Sequence, residues 1–185
     1  MFLQSSVFTT YTQGHHRLFY VSLHALAVAV ISTVLLFTAS NTQAQELRLN
    51  SNVTIVSDMN SPFPGIGVGL EGAMGQHFAA VMDANFGFGK IGTLMMFKPG
   101  VHFYFKKGQT GFFFGPKLSY MKMLEKNDED IYVDNIYGGG FSIGVKSRLS
   151  TSTSLHIMLT PQLVVGDTNG DGGTATLQVG LGFNL

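Results

Sequence analysis

Between residues 46 and 185 the hydropathy of the chain repeats every second residue, and no other feature narrows its fold as far. In residues 174–185, Ala175, Leu177, Val179, Leu181, Phe183 and Leu185 share one face, while Thr174, Thr176, Gln178, Gly180, Gly182 and Asn184 share the other. Successive side chains of a strand point to opposite sides, whereas a helix would group every third or fourth residue. The same division holds at 47–56, 65–74, 78–89, 95–105, 111–121, 136–149 and 153–165. Eight amphipathic strands with no helical period among them predict an all-β domain.

The connections alternate in character. Short links follow the second, fourth and sixth strands (Gly75-Gln76-His77, Lys107-Gly108 and Ser150-Thr151-Ser152), as tight hairpins require. Longer links rich in Asp, Asn and Gly follow the first, fifth and seventh; Ile91-Gly92, after the third, departs from the trend. Tight turns at one end and loops at the other predict an eight-stranded antiparallel up-and-down transmembrane β-barrel over residues 45–185. The acidic stretch 125–134, EKNDEDIYVD, reads as one of the exposed loops, a solvated segment open to cations or a partner.

Which face points outward depends on what the polar face contains. Only 12% of residues are charged, the net charge is zero, and there is no cysteine. The polar face is largely Gly, Ser, Thr, Asn and Gln, which suits a crowded interior better than a water-exposed sheet. Aromatics on the apolar face fall into two bands: Phe78, Phe103, Phe105, Phe112, Phe114 and Phe183 toward the short turns, and Phe86, Phe88, Phe97, Tyr120 and Tyr137 toward the loops. Such bands mark bilayer interfaces, although aromatics are also good strand formers. The opposite facing would give a secreted lipocalin-like binding barrel. The neutral balance argues against a nucleic-acid partner.

Residues 18–39 form an apolar run behind Arg17, followed by small residues at Thr42-Gln43-Ala44. Residues 1–44 are therefore expected to be a helical export signal with a long leader, cleaved between Ala44 and Gln45. A retained membrane anchor is the alternative, because the run is long enough to span a bilayer.

With its signal, its eight strands, the segments "GIGVGLEG" and "GFFFGPKLSY" and the closing strand "LQVGLGFNL", the chain resembles the small outer-membrane β-barrel family of Gram-negative bacteria. The resemblance implies a monomer in the outer-membrane lipid bilayer, inserted by the barrel-assembly machinery, with a structural or surface-interaction role and no cofactor. Family members typically end in an aromatic that this machinery recognises; here Phe183 lies two residues before Leu185 on the same face.

The facing places Arg48, Glu71, Asp83, Lys98, His102, Lys117, Lys146, Arg148 and His156 in the lumen, where charges persist only if paired. A hairpin centred on Lys107-Gly108 would set Lys98 across from Lys117 and Pro99 across from Pro116, with Glu71 or Asp83 in reach of one lysine. The two prolines, unable to donate, would leave a bulge or a missing ladder bond. Some barrels of this family modify lipid A with Ser, His and acid residues; Ser154 and His156 are here, but no acid is expected near them, and interior packing is the favoured reading. Asp167, Asn169, Asp171 and Gly172 start like a calcium loop, but Gln178 stands where a bidentate Glu should close it. A turn is the favoured reading, with these three residues the candidates if calcium binds.

Overall fold

The computed structural model describes residues 45–57, 62–126, 131–166 and 170–185, which form one closed barrel. Its strands are β1 Gln45–Val56, β2 Phe63–Ala73, β3 Phe78–Gly89, β4 Gly92–Lys106, β5 Thr110–Lys126, β6 Ile131–Arg148, β7 Thr153–Gly166 and β8 Gly170–Asn184. Each pairs antiparallel with its neighbours in sequence, and β1 closes on β8 from Glu46↔Asn184 to Val56↔Thr174. Closure leaves no unpaired edge. The expected signal, including Ala44, lies outside the described residues, and Gln45 opens β1.

The alternation resolves into an outside and an inside. Leu49, Val53 and Ile55 of β1 are exposed, while Arg48, Asn52 and Thr54 between them are buried. The same holds around the barrel, with Ile66, Phe86, Phe141, Leu163 and Val179 among the exposed apolar residues. An apolar exterior around a polar interior is the inverse of a lipocalin. It is the facing that lets a closed sheet stand in hydrocarbon with every ladder satisfied internally.

At the short-turn end Phe103 packs edge-on to Phe78, Phe105 and Phe114, with ring centroids 5.2, 5.6 and 5.5 Å apart. Toward the other end Tyr120 lies 5.4 Å from Tyr137 and donates to Asn135 at 2.9 Å. Phe141, exposed on β6, belongs to neither expected band.

Three expectations about strand pairing are corrected. Lys98 and Lys117 do not face each other: Lys117 pairs with Gly100, two residues beyond the expected register. The turn is three residues long, with Gly108 and Gln109 both at positive φ (77° and 54°), and it ends on the pair Lys106↔Thr110. A bulge then places Gly111, at φ 84°, and Phe112 opposite Phe105 alone. Each device slides β5 by one residue, and together they restore the original facing. Pro99 and Pro116 are offset by the same slide, and the β4–β5 ladder lapses on each side of Gly100↔Lys117, where they lie.

The acidic stretch is not a long loop, since Glu125 and Lys126 continue β5 and Ile131 to Asp134 begin β6. Likewise Asp171 is a strand residue paired with Val165, while Asp167 and Asn169 lie outside the described residues.

Candidate functional site: the charged lumen

The interior is layered. At the loop end Val56, Phe63, Leu94, Met96, Met121, Met123, Ile136 and Val164 form an apolar plug. The expected polar filling therefore describes only part of the lumen. Beneath the plug is a layer of amides and hydroxyls, in which Asn85 Oδ1 accepts from Asn52 at 3.2 Å and Gln178 at 3.0 Å, and Thr54 bonds Thr176 at 3.1 Å. Below that, toward the short turns, lie the charges.

The charges form a continuous chain of contacts across the lumen. Lys117 of β5 donates to Asp83 Oδ2 of β3, and Arg48 of β1 donates to Asp83 Oδ1 at 2.8 Å. Arg48 also lies 3.6 Å from Glu71 of β2. Glu71 Oε1 accepts from Tyr104 of β4 and from Lys146 of β6, both at 2.8 Å. Lys146 reaches on to Glu46 of β1 at 2.9 Å. Glu46 accepts from Ser154 at 2.9 Å and lies 2.5 Å from His156 Nε2, both on β7. Seven strands are thus tied by side chains as well as by their ladders.

Glycines make these reaches feasible. Gly182 of β8 sits between Arg48 of β1 and Ser154 of β7 in the ladders, and a Cβ there would collide with the Glu46 carboxylate and Ser154 Oγ. Side chains from β1 and β7 meet over the bare backbone of β8.

His102 and Lys98 are also in the lumen but stand differently. His102 stacks on Phe113 with centroids 4.3 Å apart, and its Nδ1 is 3.7 Å from Glu71. Lys98, fully buried, has no hydrogen-bond acceptor among the described residues, although the ladder sets it beside Asp83. Arg148 is corrected: it shares the inward register but is exposed at the barrel's short-turn rim.

Besides the plug, two residues beside the charges escaped the sequence reading. Glu46 precedes the first clear apolar residue of β1, so alternation counted from Leu47 passes over it; counted back from Arg48, it falls on the polar face. Phe113 is hidden in the run Phe112-Phe113-Phe114, where only the middle ring turns inward.

Glu46 also supplies the acid not expected beside Ser154 and His156. The three are in mutual contact, with Ser154 Oγ 2.8 Å from His156 Nε2. In a Ser-His-acid triad the acid holds Nδ1 while the nucleophile sits on Nε2. Here Ser154 and Glu46 share Nε2, and Nδ1 has no partner among the described residues. The carboxylate therefore cannot orient the ring for proton transfer to Nε2.

Among solved structures the chain is similar in fold to Neisserial surface protein A (NspA), with a TM-score of 0.62, 10% identity, and coverage of 77% of this chain and 96% of that one. The N-terminal β-barrel domain of Pseudomonas aeruginosa OprF matches with a TM-score of 0.52 and 14% identity, over 77% and 100%. Ail, the attachment invasion locus protein of Yersinia pestis, matches with a TM-score of 0.51 and 8% identity, over 77% and 97%. At such identities the likeness is one of fold, that of the small eight-stranded outer-membrane barrels. No curated protein sequence matches significantly. The family described as "Protein of unknown function (DUF3575)" matches residues 28–164, and the chain belongs to that family.

Proposed function

We propose that the chain is an exported, integral outer-membrane β-barrel with a structural or surface-interaction role, freed of residues 1–44 by cleavage between Ala44 and Gln45. It works as a monomer, inserted by the barrel-assembly machinery. The observation that carries the reading is the facing: apolar side chains cover the outside while the charges and amides lie inside, beneath an apolar plug. The apolar plug and the ion-pair chain occupy the lumen, which supports a barrel without a wide water-filled pore. The test is membrane fractionation combined with heat-modifiable gel mobility. The protein is expected in the outer-membrane fraction, migrating faster unheated than boiled; protein soluble without detergent would sink the reading.

A lipid A-modifying enzyme is the second reading, favoured by the contact of Ser154, His156 and Glu46. Against it stand their seclusion inside the barrel, away from the lipid-facing wall, and the shared Nε2 contact. Replacing His156 by Ala is expected to leave the lipid A profile of the host unchanged; a lost or new lipid A species would favour the enzyme.

A further inference from the structure

We propose that Glu46, Glu71 and His156 form a divalent-cation site at the short-turn end of the lumen, taking a borderline transition ion such as Zn²⁺ in exchange for the Lys146 ammonium. One donor atom from each of the three residues lies within 4.8 Å of the other two, a spread that a single ion can draw together. All three side chains are buried. A cation already belongs here, since Lys146 Nζ stands 2.9 Å from Glu46 and 2.8 Å from Glu71, bridging the two carboxylates.

One oxygen is available to a further ligand. Glu71 Oε2 is buried and makes no hydrogen bond among the described residues, holding only longer contacts of 3.6 Å to Arg48 and 3.7 Å to His102. Turning Glu71 toward an ion gives up only those two long contacts, and a metal on His156 Nε2 would leave Nδ1 as the N–H. There is also a way in. A vestibule of about 50 Å³ opens at the short-turn rim between Glu46, Lys146, Ser154, Arg148 and Gln109. One water needs roughly 10–15 Å³ of such space, so an ion and its last waters fit. Lys146 lines the vestibule and has room to swing outward into it as the ion enters.

The donor set selects the ion class. Two carboxylates and an imidazole suit zinc and its neighbours, with a fourth position left for water or Ser154 Oγ. Calcium wants about six to eight oxygens, which three protein donors fall well short of. The site shares no residue with the calcium-like stretch 167–172.

The experiment uses purified, metal-stripped protein in detergent, with Zn²⁺ competed against a chromophoric chelator and Co²⁺ absorption as a second readout. Wild type is expected to take up one equivalent of Zn²⁺, lost in His156→Ala and Glu46→Gln. Lys146→Met, lacking the competing ammonium, should bind at least ten-fold tighter. Heat-modifiable mobility identifies variants that fold, and His156→Gln replaces the alanine variant if that one does not. The chain has six histidines, and uptake that survives every folded His156 variant would assign the ion elsewhere and overturn the proposal. Failure of both wild type and Lys146→Met to compete for Zn²⁺ would overturn it equally.

Discussion

Arg48 of β1 and Asp83 of β3 meet at 2.8 Å although β2 runs between them, and the residue they pass over is Gly69, paired with both. A Cβ at Gly69 would strike the Asp83 carboxylate and come within 3.1 Å of the Arg48 guanidinium. The Gly-x-Gly-x-Gly spacing of "GIGVGLEG" thus has a physical purpose on the inner wall. Gly69→Ala is expected to cost about 3 kcal/mol, the low end for parting a buried ion pair. Urea unfolding in micelles, followed by gel mobility, measures it. Gly139→Ala is the control, because a Cβ there meets only ordinary contacts at 3.7 and 3.8 Å.

Asp83 and Lys98 are ladder partners with opposite expected consequences. Asp83 holds both Arg48 and Lys117, so Asp83→Asn strands Lys117, leaves Arg48 only its 3.6 Å contact with Glu71, and should destabilise by about 3–5 kcal/mol. Lys98 has no acceptor among the described residues, and a buried unsatisfied donor itself costs about 1–3 kcal/mol. Lys98→Met should therefore be neutral or stabilising in the same unfolding series. A loss from Lys98→Met as large as that from Asp83→Asn would mean that Lys98 is paired.

The apolar plug makes a third prediction. Phe63 is fully enclosed by the cluster of Leu94, Met96, Met121 and their neighbours, and Gly89 leaves the space its ring fills while Gly87 makes room for its Cβ and backbone. Phe63→Ala should cost about 3–5 kcal/mol through lost burial and the cavity left behind. Phe86→Ala, on the exposed outer face, should cost clearly less, because detergent or lipid closes over the gap. Equal losses in micelle unfolding would contradict the division into inside and outside.

Much of this architecture is legible in the order of residues because a strand has only two sides. Once Leu49 is outside, Arg48 must be inside, and the lumen roster follows by counting; Glu46 shows that the count must run to the end of the strand. Pairing across strands is another matter. Lys98 and Lys117 are separated by a three-residue turn and a bulge, and each depends on backbone angles at Gly108, Gln109 and Gly111 that the residue pattern does not announce. The Ser154–His156–Glu46 contact joins the first strand to the seventh through closure, with Ser154 and Glu46 108 positions apart in sequence. Local periodicity carries no information at that range. Polar composition misled in two places, since the residues around Glu125 and Asp171 belong to strands that extend further than alternation suggests.

The bulge is therefore where the register should be most vulnerable. At φ 84° Gly111 is in a region that a β-branched residue enters only under strain, and its Cβ would meet the Lys106 side chain at 3.2 Å. Gly111→Val should cost about 1–2 kcal/mol from the left-handed backbone alone. Losing only the bulge would slide β5 by one residue, turning Lys117 toward lipid and Leu118 into the lumen, so the strained register is expected to persist. The chain has no cysteine, which makes single-cysteine labelling clean. In both backgrounds Leu118→Cys should react with a lipid-soluble maleimide and Ser119→Cys should not. Reactivity that moves to Ser119→Cys in the Gly111→Val background would show that the turn, and not the buried charges, decides which way β5 faces.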